Sequence, residues 1–471
     1  MNEALPSVSA RLERLPFSRF HLALLVMGGL GYTFDAMDAA IIAFVLPAVK
    51  VAWGLNSLHV GLLAAGTSAG GILGATLAGW LGDRLGRRSV MMWALALYCS
   101  ASVLSSAATS WQMFLLCRII AGVGTAAESV IIAPFLTEFA PSRFRGRFAG
   151  ALAGCFSFGY VGAAILGASV VPLSAQAWRV AVIATAAPVL MLLWWRRALP
   201  ESPRWLEARG RHAEAGKIVS GIEARVARQF GPLPPLAASA TASTIIKAPP
   251  VPMSGYRQLW GRTLRRRTAV AWTLWFSIGF SYYAFFTWIP SLLIESGLTV
   301  TKSFVFSLAI SVAQIPGYFS AAYFNDHWGR RTVIAAYMSM GALSALLFAF
   351  AKAEWALMLC GMSLSLFING VYAGLYSYTP EIFPTCVRTM GQGSSTAISR
   401  IGAMLAPVTV GILFPLYGFS GVFGLTTTLL AIGAFCIACL GIDTKNRSLE
   451  DIETGGSFKT ISHSIDNEFA R

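Results

Sequence analysis

Twelve stretches of this chain are apolar for about twenty residues or more: 21–47, 58–80, 89–108, 112–138, 148–171, 178–196, 268–293, 303–324, 332–351, 355–379, 391–415 and 418–441. At 1.5 Å per residue, about 20 apolar residues span the ~30 Å hydrocarbon core of a bilayer. No water satisfies a backbone there, so each run must close its hydrogen bonds within itself, as a helix. The expected fold class is an all-α membrane protein with twelve transmembrane helices. Only 12% of residues are charged, about half the share of a soluble domain. The first run carries two acids, exceeds a signal-peptide core in length, and has no clean small-x-small cleavage pattern after it, so it is expected to remain in the membrane.

A net charge of +15 raises the question of nucleic acid, but its distribution excludes that partner. With the N-terminus inside, 30 of the 36 Lys and Arg fall in cytoplasmic segments, Arg11, Arg14 and Arg19 among them. Lys50, Arg179, Lys302 and Lys352 lie at outer ends, and Arg118 and Arg400 lie inside helices. This bias is the positive-inside pattern. It implies a multi-pass protein of the cell inner (plasma) membrane with both termini cytoplasmic. The seven cysteines form no metal-like cluster, and no structural disulfide, metal or cofactor is expected.

Two segments recur at one offset of 243 residues. "GWLGDRLGRRSV" (79–90) pairs with "AYFNDHWGRRTV" (322–333), and "EFAPSRFRG" (138–146) with "EIFPTCVRT" (381–389). Two motifs keeping one register imply two pseudo-symmetric six-helix bundles, as in secondary transporters whose substrate site lies near the midplane between halves. The expected domains are an N-terminal bundle (1–197), a cytoplasmic linker with short helices (198–266), a C-terminal bundle (267–442) and a cytoplasmic tail (443–471).

The pattern Gly79-x-x-x-Asp83-Arg84-x-Gly86-Arg87-Arg88 resembles the signature between helices 2 and 3 of the major facilitator superfamily. "PESPRWL" (200–206), "WRV" (178–180) and "DTKNRSLEDI" (443–452) look like its sugar-porter and organic-ion branches. Physically, Gly–Arg turns at the cytoplasmic surface offer cations to the acid ending helix 4 or 10. Asp83, Arg84, Arg87, Arg88, Glu138 and Arg145, with Asp326, Arg330, Arg331, Glu381 and Arg388, are therefore the candidate cytoplasmic gate. The plain alternative is that these arginines only set topology.

Charges at mid-membrane are costly unless paired or wet, which makes each a functional candidate. Asp38 and Arg118 lie at similar depth on helices 1 and 4. Their motifs, "DAAII" and "RIIAGVG", resemble the positions of the Asp–Arg pair in proton-coupled sugar porters. A carboxylate paired with Arg stays ionised, and one parted from it in an apolar setting takes a proton. Asp35 lies about 60° from Asp38 around the helix, and the D-x-x-D spacing resembles helix 1 of aromatic-acid proton symporters. Two close carboxylates do not both ionise easily. Asp38, Asp35, Arg118 and Glu128 are thus the candidate proton-coupling set, the alternative being a permanent structural pair.

Arg400 lies near mid-depth in "SRIGAMLAP" (399–407), which resembles the helix-11 segment of organic anion transporters where an Arg faces the anion. A guanidinium offers a carboxylate two parallel hydrogen bonds; the alternative is a pair with Asp35 or Glu128. Tyr282, Tyr283 and Phe286 on helix 7, Gln314 on helix 8, and Asn369, Tyr372 and Tyr376 on helix 10 suit a flat ring, though such stripes also serve packing. The expectation is a proton-coupled importer of a small organic anion working by alternating access. The chain most resembles bacterial carriers for nicotinate and related aromatic acids. A sugar or polyol symporter and a drug efflux antiporter are the alternatives, with a fold-sharing membrane sensor as a different class. Expected partners are a small-molecule substrate, protons and membrane lipid, with no nucleic acid, and a monomeric state. No Walker loop, G-x-S-x-G elbow or H-E-x-x-H occurs, so no enzyme is implied.

Overall fold

The computed structural model describes residues 8–235, 258–262, 264–295, 297–383 and 387–444, excepting the side chains at 79, 83, 142, 145–147, 149, 150, 153, 193, 326, 388 and 389. The described residues are helical nearly throughout. A short α1 (Val8–Glu13) precedes α2 (Arg19–Trp53), α3 (Ser57–Leu85), α4 (Arg87–Ser106), α5 (Trp111–Thr137) and α6 (Ser142–Val170). The sixth apolar run is broken into α7 (Ala177–Ala184), a 3-10 turn with Pro188 in its first positions, and α8 (Met191–Ala198). The linker forms α9 (Pro203–Ala208) and α10 (His212–Phe230). At 19 residues, α10 is longer than the short helices expected there.

The second half opens with α11 (Arg265–Glu295). The eighth run divides into α12 (Val300–Val312) and α13 (Gln314–Trp328). Pro316 lacks the N–H that would bond back to Val312, which weakens the ladder at this join. Then follow α14 (Arg330–Phe350), α15 (Glu354–Ile382) and the 53-residue α16 (Arg388–Leu440). A 53-residue helix is about 80 Å long, more than twice the hydrocarbon thickness. It is two passes joined at Gly418, whose φ of 59° and ψ of −150° only glycine adopts freely. Among the described residues, eleven helical segments are long and apolar enough to cross a membrane; with the last counted twice, twelve passes result.

Two compact units form, residues 1–247 with 293–308 and residues 248–292 with 309–471. In the first, α1 seats Val8 and Leu12 among Ala215, Val219, Ile222 and Val226 of α10, so the linker packs with the N-terminal helices. Segment 293–308 joins the same unit through Glu295–Lys50 (2.6 Å) and Phe304 against Phe44 (5.4 Å between rings). Helices α3 and α5 are held together by glycine: a Cβ on Gly70, Gly74 or Gly122 would overlap the carbonyl oxygen of Ile119, Val123 or Thr67. In lipid, where no hydrophobic effect drives helix pairing, such close backbone contact does.

Candidate functional site

That α3–α5 contact positions the charge centre of the first unit. Arg118 on α5 reaches Asp38 on α2 with Nη1 to Oδ1 (3.1 Å) and Nη2 to Oδ2 (2.9 Å). Nη2 also donates to the Asp38 carbonyl oxygen (2.9 Å), and Nε and Nη2 donate to Thr67 Oγ1 on α3 (3.3 and 3.1 Å). Ser102 of α4 and Thr185, just past α7, donate to Asp38 Oδ1 at 2.8 and 2.7 Å. Both charged side chains are 0% exposed. Five helical segments thus converge on one ion pair whose lone pairs and protons are largely satisfied, the condition for tolerating it in a dry interior.

Two more acids lie beside it without a cation. Asp35 Oδ2 accepts from Ser129 (2.7 Å), while its Oδ1 has no partner among the described residues. Glu128 is fully buried, and neither of its carboxyl oxygens has a partner among the described residues. The two carboxyls interact electrostatically. The buried Tyr98 hydroxyl, also without a partner among the described residues, senses both. Of the three buried carboxyls only that of Asp38 meets the guanidinium. Sequence reading did not single out Thr67, Tyr98, Ser102, Ser129 or Thr185; small polar residues inside apolar runs are the only signal they give.

The second unit carries aromatics. Tyr282 packs on Tyr283 (5.3 Å), Phe286 (4.5 Å) and Tyr372 (5.6 Å). Trp275 stands 6.0 Å from Tyr372 and 5.1 Å from Tyr376. Tyr318 of α13 interacts with Tyr376 and Tyr283. Trp275 and Tyr318 belong to the cluster although the sequence pattern did not nominate them. Tyr376 keeps 53% of its surface accessible while Tyr282 and Phe286 are buried, so the cluster has an open side and a packed back. Arg400 of α16 is half-buried and interacts with Tyr376. No described carboxylate of its unit pairs with it. Gln314 and Asn369 are buried; Asn369 donates to the Ser365 carbonyl (2.8 Å), and Gln314 Nε2 and Asn369 Oδ1 have no partner among the described residues.

At the helix ends the repeated motifs make repeated bonds. Arg87 pairs with Glu138, and Arg330 with Glu381 (3.3 Å). Arg88 Nη2 donates to the Arg196 carbonyl (2.5 Å), and Arg331 donates to the Ile437 and Ala438 carbonyls. Among the described side chains, only Arg87 and Arg330 of the expected cations meet an acid. Arg88 and Arg331 instead cap the last helix of their own half, and Arg84 lies over the Trp80 ring (4.1 Å). The side chains of Asp83, Arg145, Asp326 and Arg388 lie outside the described ones. Glu201, of the "PESPRWL" segment, accepts from the backbone N–H groups of Arg87 and Arg88 (both 3.1 Å), and Ser202 bonds Glu138. The linker thereby caps α4 and joins the Arg87–Glu138 pair. Among the described residues no group of acids, histidines and cysteines could hold a metal.

Residues 29–455 match the family model described as "Sugar (and other) transporter". The "Niacin transporter NiaP" of Acinetobacter baylyi is 34% identical over 446 residues, 94% of this chain and 99% of that protein. The "Putative niacin/nicotinamide transporter NiaP" of Bacillus subtilis is 30% identical over 428 residues, 91% and 97%. The xylose transporter XylE from E. coli, solved in a partially occluded inward open conformation, superposes with a TM-score of 0.73 at 17% identity, covering 92% of this chain and 100% of that one.

Proposed function

Because this chain belongs to the sugar (and other) transporter family of the major facilitator superfamily, we propose that it carries a small aromatic monocarboxylate inward together with protons. It is a membrane transporter; the finer reading rests chiefly on Arg400. A guanidinium that interacts electrostatically with a half-exposed tyrosine, with no described carboxylate of its own unit to neutralise it, suits a substrate carboxylate. The names of the niacin-transporting relatives support a nicotinate-like acid.

The Asp38–Arg118 pair, with Asp35 and Glu128, is the coupling centre in this proposal. Burying three carboxylates against one cation costs several kcal/mol for each unpaired charge. The centre is therefore occupied only with protons aboard, and a rearrangement that parts Asp38 from Arg118 takes up or releases one. Arg87–Glu138 and Arg330–Glu381 serve as gate latches that alternating access opens and closes. The charge bias supports an inner-membrane orientation with both termini cytoplasmic.

The test is uptake by proteoliposomes under an imposed pH gradient. Nicotinate should accumulate and nicotinamide should not. Arg400→Ala should weaken nicotinate binding about tenfold or more, the worth of a charge-assisted bidentate contact. Asp38→Asn should retain exchange but lose accumulation. Accumulation of xylose but not nicotinate would instead favour a sugar or polyol symporter, which the open valences of Gln314 and Asn369 would suit.

A further inference from the structure

A concavity lined by none of the residues named above as proton-coupling or substrate candidates opens where α2 begins, α8 ends and α10 passes them. It offers about 660 Å³, and its lining combines Arg19, Arg225, Arg228 and Gln229 with Phe20, Met27 and Trp194. We infer that this is a binding site for an anionic phospholipid, with the phosphodiester among the three guanidinia and the acyl chains against the apolar wall.

Charge argues for the head. Among the described residues no carboxylate pairs with Arg19, Arg225 or Arg228, although neighbouring Arg11 and Arg14 both engage Glu223. The guanidinium groups of Arg19 and Arg225 make no hydrogen bond with any described residue, and that of Arg228 donates only to the Ala224 carbonyl (3.3 Å). Gln229 Oε1 fixes the Arg19 backbone N–H (3.0 Å), which ties the basic helix to the start of the first membrane pass. Three converging cations at the basic face of a membrane protein, between membrane helices, are the usual chemistry of a lipid phosphate site.

Surface argues for the tails. Past Arg19, α2 exposes Leu22, Val26 and Leu30 at i, i+4 and i+8, while Leu190 is exposed just before α8 and Trp194 within it. These side chains extend the apolar wall into the face that meets lipid, and an exposed Trp at this level marks the headgroup layer. A free phosphate would satisfy the arginines but leave that wall wet. An amphiphile covers both.

The experiment uses the full chain, stripped of lipid in neutral detergent and reconstituted in nanodiscs of mixed phosphatidylglycerol and phosphatidylcholine, with co-purifying lipid read by native mass spectrometry. Wild type should retain phosphatidylglycerol over phosphatidylcholine. The preference should fall about fivefold for each of Arg19, Arg225 and Arg228 changed to Ala, and a triple Lys variant should keep most of it. An unchanged preference in the Ala variant, or its loss in the Lys variant, overturns the site. Glycerol phosphate competing as well as the lipid would mean a soluble-anion site and overturn the lipid assignment. If the triple Ala variant does not fold, quenching by brominated lipid decides. The part of the signal lost in Trp194→Phe should be larger with brominated phosphatidylglycerol than with the brominated phosphatidylcholine, and equality refutes the proposal.

Discussion

Arg118→Leu strikes the most heavily bonded group in the first unit. Its guanidinium makes three hydrogen bonds to Asp38 and two to Thr67, all within 3.3 Å and with no solvent contact. The substitution leaves Asp38 with only the neutral donors Ser102 and Thr185. Breaking a buried pair from one side costs about 3–5 kcal/mol because a charge is stranded. Removing both charges, as Asp38→Asn with Arg118→Leu, should cost less than the sum of the two single changes, by about 0.5–3 kcal/mol of coupling. Urea or thermal unfolding of the four proteins in detergent, at pH 8 and pH 6, reads all of this. A loss below about 1 kcal/mol for Arg118→Leu at pH 8, or strict additivity at both pH values, would refute a dry, mutually dependent pair.

Three further outcomes follow from other contacts. Glu201→Ala removes the acceptor for two N–H groups at the start of α4 and should cost about 1–2 kcal/mol, read as a lower melting temperature that Glu201→Asp partly restores. Gly70→Ala forces a Cβ into the Ile119 carbonyl and should cost about 1–3 kcal/mol, whereas Gly154→Ala, which meets nothing within 4 Å, should gain about 0.5–1 kcal/mol; expression and melting of the two variants separate them. For Glu223, part-burial pushes the carboxyl upward, but bonds from Arg11 and Arg14 outweigh it and hold the group below its ordinary range. The docking it supports is present above the unfolded value and is lost as pH falls through the folded one, so protease cleavage between α1 and α2 should quicken in acid, and Glu223→Gln should be cleaved quickly already at neutral pH.

Much of this architecture was legible because lipid enforces it. Apolar run lengths located the passes, and depth alone brought Asp38 level with Arg118. What depends on local backbone geometry was not legible. The join of the last two passes needs no loop, because Gly418 turns the chain within one residue. The breaks in the sixth and eighth runs accompany Pro188 and Pro316, but proline also sits inside intact helices, at Pro47, Pro134 and Pro380, so composition could not say which prolines break. Gate arginines could be counted but not assigned. Whether a guanidinium meets a carboxylate, as Arg87 does, or a helix-end carbonyl, as Arg88 does, depends on which side of α4 it leaves. Glu201 was visible only as part of a motif, since capping another helix 114 residues away leaves no periodic trace.

The repeat says which of these features belong to the scaffold. At the 243-residue offset, Arg87–Glu138 corresponds to Arg330–Glu381 and Arg88 to Arg331. The same offset relates Gly74 against the Val123 carbonyl to Gly317 against the Leu366 carbonyl. Helix contact and helix-end bonding are thus written twice. The interior is not. Thr67, Ser102, Arg118 and Glu128 fall on Ile310, Ala345, Gly361 and Val371, while Gln314, Tyr318, Tyr372 and Tyr376 fall on Gly71, Ala75, Ser129 and Ala133. Packing alone would have no reason to place charge in one half and aromatic rings in the other at matched positions, since Gly74 and Gly317 bring the corresponding pair of helices together in each half. The asymmetry lies where side chains face the inside of each unit, and a charged interior is expensive to keep in lipid. That asymmetry supports the proposal above, in which protonation belongs to the first half and substrate recognition to the second, built on one repeated frame.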